Sequence, residues 1–263
     1  MISKTALAVG AHPDDIELNC SGTLKLLRGL GWDIHVATMT LGDCGSRNLP
    51  PEAIAETRRA EAEHACALLE ASYHYIGSSD FCIFNDDQHN RRVTSLIRET
   101  APGIVFTHPP ADYLSDHETT STLVRNACFY APVPNYSTPH ARPITDIPYL
   151  YYFDSLEGVD IFGRQIMPEL YVDMTDLMDF KSEMLAKHAS QREWLRSHHD
   201  IDDYLASMQN WAAKRGAEAQ FLAAAAVTHA EAFRQHRGHA YPADNLLKEL
   251  LGTRVIPNPK YPD

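Results

Sequence analysis

Ala6-Leu7-Ala8-Val9-Gly10-Ala11-His12-Pro13-Asp14-Asp15-Ile16-Glu17 is the stretch that decides how this chain is read. It opens with an apolar run ending in glycine, the pattern of a short buried strand. The imidazole and two carboxylates that follow would then stand at the strand's C-terminal lip, where open α/β sheets bind ligands. Pro13 fixes one φ and stiffens the turn. Histidine and aspartate together suit Zn²⁺, which takes N and O donors at about 2.0–2.2 Å. The second acid leaves a carboxylate spare to activate water. The same residues would also make a plain polar turn, with Asp14 or Asp15 capping a helix from Glu17 onward.

A second segment repeats the arrangement. Ile104-Val105-Phe106-Thr107-His108 is a β-branched run ending in polar residues. It is followed by Pro109-Pro110, by Asp112-Tyr113-Leu114-Ser115-Asp116-His117, and by a helical pattern from about Thr119 to Phe129. Parallel strands align their C-terminal ends, so the two loops can converge on one ion. His12, Asp15 and His117 would supply two imidazoles and a carboxylate. Three protein ligands with an open fourth position describe a catalytic zinc site.

The remaining pattern alternates. Thr5–Gly10 and Asp33–Met39 read as strands, Ser21–Gly31 as a helix capped by Ser21, and Pro51 to Glu70 as a long helix. Tyr73–Ile76 and Ile104–Thr107 read as further strands, with a helix over Asn90–Glu99. The alternation predicts a Rossmann-like α/β fold, a mostly parallel sheet with helices on both faces. Leu150–Asp154 and Glu169–Val172 look like added strands, and Lys181–Leu195 and Asp203–Ala226 like helices. The proline-rich residues 131–148 are expected to form an ordered loop near the pocket. His236 and His239 would share a face if a helix persists through the segment from Thr228. The length fits one domain over 1–263, with a core to about 180 and a C-terminal helical elaboration over about 181–263.

At the residues quoted above the chain resembles the LmbE-like, or PIG-L, zinc-dependent de-N-acetylases, which remove acetyl groups from N-acetylglucosamine-type sugars. His12 to Glu17 matches their opening His-Pro-Asp-Asp-x-Glu motif, and Asp116-His117 their later Asp-His. Arg58-Arg59-Ala60-Glu61, Val172-Asp173-Met174-Thr175, Lys187-His188-Ala189-Ser190-Gln191 and Ala230-Glu231-Ala232-Phe233-Arg234 are also similar to the family pattern. The resemblance implies that His12, Asp15 and His117 hold zinc and that Asp14 is the general base. It also implies that Arg58 contacts substrate at the pocket rim. Glu17 is expected to cap or to orient His12, and Asp116 to orient a ligand from outside the metal's own set. Many members carry a histidine three residues before the metal histidine, thought to stabilise the oxyanion. Here that position is Leu114, so oxyanion stabilisation would come from the zinc itself or from another donor, with His108, Tyr113 and His239 as candidates.

Composition narrows the partners. Twenty-three basic against 35 acidic residues give a formal charge of −12 and no basic patch. That argues against nucleic acid and against anionic membrane surfaces. An apolar share of 44% is ample for a core. Cys20, Cys44, Cys66, Cys82 and Cys128 are odd in number and lack Cys-x-x-Cys spacing, which reads as reduced thiols of a cytoplasmic protein. No signal-peptide pattern and no apolar run of ~18 residues are present. A small amino-sugar substrate and self-association into a homo-oligomer are the expected partners. Two other readings remain open: a zinc amidase acting on another amide, such as a thiol-sugar conjugate, and a non-catalytic Rossmann-like binding module. The second lacks the Gly-x-Gly-x-x-Gly loop that cradles a pyrophosphate.

Overall fold

The computed structural model describes residues 2–139, 141–199, 204–223 and 226–261. Its strands are β1 (Thr5–Gly10), β2 (Asp33–Thr38), β3 (Ser72–Tyr75), β4 (Ile104–Thr107), β5 (Tyr149–Phe153), β6 (Leu170–Asp173), β7 (Ala230–Gln235) and β8 (Val255–Pro257). They form one sheet in the order β3-β2-β1-β4-β5-β7-β6-β8. The pairings from β3 to β5 are parallel, and those joining β7, β6 and β8 are antiparallel. Strand order reverses between β1 and β4, so a crevice opens outside their C-terminal ends. The His-Pro-Asp-Asp turn and the Asp-His segment leave the sheet at that crevice.

The helices are α1 (Asp15–Asn19), α2 (Ser21–Gly29), α3 (Pro51–Leu69), α4 (Asp87–Thr100), α5 (Ser115–Tyr130), α6 (Met178–Leu185), α7 (Ala189–His199), α8 (Tyr204–Leu222) and α9 (Leu246–Leu251). Two-residue alternation sorts β1 between two cores. Ala6 and Ala8 join Ile34, Val36 and Phe106 under Leu24 and Leu27 of α2, Ala65 and Leu69 of α3, and Met184 of α6. Leu7 and Val9 join Val105 and Leu150 under Val93 and Ile97 of α4 and Leu123, Val124 and Ala127 of α5. Helices thus cover both faces, and β1 is inaccessible from Ala6 to Val9. No helix among the described residues is long and apolar enough to cross a membrane.

Several local expectations need correction. Ala230–Gln235 is a strand rather than the continuation of a helix. Its residues are buried on both sides of the sheet except Arg234, a pattern that short apolar periodicity cannot tell from a helix. The helix expected over Lys181–Leu195 is interrupted between α6 and α7, where His188 turns inward and is buried. Ser21 does not cap α2; its hydroxyl donates to the Glu17 carbonyl at 2.9 Å. The first-turn amides of that helix are served instead by the buried Glu231 carboxylate on β7, which accepts from Gly22 N–H (2.9 Å) and Thr23 N–H (2.8 Å). The proline-rich loop packs on α4, where Arg98 donates to the carbonyls of Ala131 and Val133, and none of its described residues lines the cavity at the crevice.

Candidate active site

β1 ends in Gly10 because the site needs the space. A Cβ there would stand 2.9 Å from Asp15 Cβ. After it the chain turns so sharply that Asp14 adopts φ 103°, a left-handed conformation that costs a non-glycine residue about 1–3 kcal/mol. Asp14 precedes α1 but its side chain does not cap it. The strain aims the carboxylate into the crevice.

His12, Asp15 and His117 each present one donor atom to a common centre, all within 4.8 Å of one another. Asp15 has two different oxygens. Its Oδ2 accepts from the His12 amide (2.7 Å) and lies 3.0 Å from His108 Nε2, while Oδ1 faces His117 Nε2 at 3.5 Å. Each imidazole is held from behind. His12 Nε2 lies 3.2 Å from Asp116 Oδ2, and His117 Nδ1 lies 3.1 Å from Asp112 Oδ1. With the rear N–H of each ring given to a buried acid, His12 Nδ1 and His117 Nε2 are left to the centre. Rear carboxylates of this kind fix tautomer and orientation at metal sites. The donor set therefore fits a divalent cation. His108, Asp112 and His117 also lie close enough to be considered as ligands. In that group Asp112 is already engaged behind His117, and His108 Nε2 is 3.0 Å from both Ala11 N–H and Asp15 Oδ2.

The electrostatics agree. Burial opposes charge on His12, yet Asp116 and Asp15 outweigh it and raise its pKa to about 10. For His117, burial is likewise overcome by Asp15 and Asp112, and its pKa is raised. Burial alone would raise Asp15, but His108 and His117 hold it well below the usual carboxylate range. Carboxylates that draw protons onto imidazoles without a cation will draw a cation in their place.

Asp14 stands beside this set with its own partners. Its Oδ2 accepts from Tyr204 Oη, and its Oδ1 lies 3.7 Å from Arg58 Nη2. Burial raises its pKa, opposed by Arg58. Arg58 is 3% exposed and donates to the Pro13 carbonyl at 2.9 Å, so it lies in the wall against Asp14 rather than on the rim. Gly42 and Gly45 make room for its guanidinium; a Cβ at either would approach Nη1 to 2.3 or 2.7 Å. Glu17 faces His188 Nε2 at 3.1 Å, not His12. Asp116 stands behind His12 as expected of a ligand-orienting group, and accepts from Phe81 N–H at 2.8 Å as well.

The cavity holds about 360 Å³, and Leu156, Trp194, Leu195, Tyr204 and Trp211 also line it. Tyr204, Asp112 and Asp80 were not singled out from sequence. Asp80 Oδ1 is 3.9 Å from His12 Nε2 and accepts from Thr40 Oγ1 at 2.6 Å. Of the three donors considered in place of a histidine at Leu114, His239 does not line the cavity and His108 is engaged with Asp15 and Ala11. Tyr113 remains: it lines the cavity, and its ring packs edge-on to His117 at 5.3 Å.

Residues 7–128 match the family model described as PIG-L: GlcNAc-PI de-N-acetylase. The chain is 25% identical over 196 residues to 4-oxalmesaconate hydratase of Pseudomonas putida, covering 72% of this chain and 74% of that one. It is 24% identical over 201 residues to diacetylchitobiose deacetylase of Thermococcus kodakarensis, covering 72% and 70%. The structure of N,N'-diacetylchitobiose deacetylase from Pyrococcus horikoshii superposes with a TM-score of 0.74 at 24% identity, over 93% of this chain and 89% of the other. By the match over residues 7–128, just under half of its length, the chain is similar to the PIG-L (LmbE-like) family, and its fold is that of the solved diacetylchitobiose deacetylase.

Proposed function

We propose that the protein is a zinc-dependent de-N-acetylase of a GlcNAc-type sugar or glycoside, with Asp14 as general base. The observation that carries this reading is the division of labour between adjacent carboxylates. Asp15 joins the two imidazoles, while Asp14 keeps separate partners in the same cavity. Relatives named as deacetylases of such sugars support the substrate class.

A divalent ion held by His12, Asp15 and His117 would act as a Lewis acid on the acyl carbonyl and on the attacking water. The chain's own residues do the rest. Asp14 accepts the proton of the water and passes it to the departing amine, which without a proton is a poor leaving group. Tyr204 and Arg58 fix that carboxylate and stabilise its charged form. Tyr113 donates toward the developing oxyanion where a histidine is missing. Trp194 and Trp211 line the same cavity and supply aromatic surface for a sugar ring. A general base contributes typically about 10²–10⁴-fold, so Asp14→Asn is expected to lower acetate release from diacetylchitobiose by that range while retaining metal. Unchanged release would refute the role of Asp14.

The relative named as a hydratase makes one second reading specific. The same base and donor set would add water to a carbon–carbon double bond. Acetate release from an acetamido sugar separates the two, since a hydratase yields none.

A further inference from the structure

Lys187-His188-Ala189-Ser190-Gln191 has no part in the chemistry above, yet it carries a side chain to the cavity. α7 begins within this stretch, at Ala189. Its first turn is pinned from two sides. His188 is buried, with Nε2 3.1 Å from Glu17 Oε1. Ser190 donates twice to the Glu61 carboxylate on α3, from its N–H at 2.9 Å and from its hydroxyl at 2.5 Å. Backbone held in this way presents Gln191 to the cavity. Trp194 and Leu195, three and four residues on, share its helix face and line the same space.

Gln191 is left unsatisfied there. Its Oε1 is sealed from solvent and has no hydrogen-bond partner among the described residues. Turning the amide over would only put an N–H in the same place. Buried polar atoms are paired in the great majority of cases, and one left open on the wall of a candidate active site awaits a ligand group. The last torsion of a glutamine is soft, so the amide can turn to meet one. A neutral amide that donates and accepts matches a hydroxyl, which does both, better than a carboxylate or an ammonium. α8 extends the pattern, since Tyr204, Ser207 and Trp211 line the cavity at the i, i+3, i+7 spacing of one helix face. The wall built by α7 and α8 thus combines two indoles with an amide and a hydroxyl. That combination suits a pyranose, which offers apolar C–H faces and neutral hydroxyl edges.

Resting on the de-N-acetylase reading for its substrate, we propose that Gln191 is a specificity-determining residue whose amide binds a ring hydroxyl of the amino sugar while the acetamido group reaches the His12–Asp15–His117 centre. The hydroxyl donates to Gln191 Oε1 or accepts from its Nε2–H, and the bond exists only with substrate bound. Sugars are then chosen by the place of a hydroxyl on the ring. One that lacks it leaves the amide buried and unpaired, and is bound more weakly for that reason.

The test uses the methyl β-glycoside of N-acetylglucosamine and its 3-deoxy, 4-deoxy and 6-deoxy analogues. Their kcat/KM for acetate release is measured with the zinc-loaded protein, and their Kd by calorimetry with zinc-loaded Asp14→Asn, each with and without Gln191→Met. One deoxy compound is expected to bind about tenfold more weakly than the parent, as the loss of one buried neutral hydrogen bond predicts. Gln191→Met should weaken the parent by the same factor and leave that deoxy compound unchanged, closing the gap, while the other two analogues fall with the parent. Melting curves confirm folding, and Gln191→Ala supplies a second truncation should the methionine variant not fold. Equal binding of all four compounds, a gap that survives the truncation, or a uniform loss of all four in the variants would overturn the proposal. If the coupling holds in Kd but the wild type releases no acetate, the de-N-acetylase reading fails and the hydroxyl contact stands. If none of the four binds the zinc-loaded protein, both fail.

Discussion

Replacing Asp116 tests whether the metal ligands are held from behind. Its carboxylate is 2% exposed, and a single oxygen, Oδ2, serves both His12 Nε2 at 3.2 Å and Phe81 N–H at 2.8 Å. Alanine removes both bonds, frees the His12 ring, and leaves a left-handed Phe81 (φ 62°) without its anchor. Losing an orienting partner of this kind costs about 10–100-fold in metal affinity, or about 1.4–2.7 kcal/mol. Asp80 Oδ1 lies 3.9 Å from the same His12 nitrogen and can take it over after a small rotation. The loss for Asp116→Ala should therefore fall near the lower end, about tenfold. Asparagine can place its carbonyl oxygen where Oδ2 stands and keep both bonds, giving up only the charge assistance. Asp116→Asn should lose less than Asp116→Ala. The assay is competition for Zn²⁺ between metal-stripped protein and a chelating indicator, with melting curves to confirm folding. Wild-type affinity in folded Asp116→Ala, or an equal loss in the two variants, would show that His12 is not oriented through that oxygen.

Other expectations follow from the same geometry. Because Asp116 and Asp15 raise the metal-free His12 to about 10, and His117 is raised too, zinc must displace protons at neutral pH. Metal affinity should rise with pH between 6 and 9, and calorimetry in buffers of different ionisation enthalpy should detect proton release; pH-independent affinity would contradict it. Tyr204→Phe removes the hydroxyl that lowers the Asp14 pKa, so the acid limb of kcat/KM should move to higher pH and kcat should fall. An unmoved limb would show that Tyr204 does not touch the base. Glu231→Ala strips the caps from Gly22 and Thr23 and strands the buried Lys181 ammonium, now 2.6 Å from Glu231. About 3–5 kcal/mol of stability should be lost in urea unfolding, and a loss below 1 kcal/mol would refute that ledger of partners.

What sequence made legible is what lies close along the chain. Strand-then-polar-turn spacing carried His12, Asp15 and His117 to one sheet edge, because parallel strands align their ends whatever the intervening length. Asp116, next to His117, came with them. Tyr204 did not, since it reaches Asp14 from a helix whose apolar stripe reads as ordinary core and whose arrival depends on tertiary packing. Asp112 carries no signal of its own in the sequence, and its role comes only from its contact with His117 Nδ1. Arg58 was expected at the rim, yet a guanidinium can be buried when a carbonyl and a carboxylate receive it, and Gly42 and Gly45 leave the space. Ala-Glu-Ala-Phe-Arg-Gln over 230–235 has no clean period of either kind, because β7 is buried on both faces between β5 and β6. The prolines of 131–148 announce an ordered loop but carry no direction, and tertiary contacts with Arg98 took it away from the cavity.

The most direct test of the whole account is metal content by elemental analysis, paired with acetate release from diacetylchitobiose, in wild type and Asp14→Asn. The account predicts about one zinc per chain in both proteins, with acetate released by the wild type and lost in the variant. A folded wild-type protein that binds no divalent ion after incubation with zinc would contradict it.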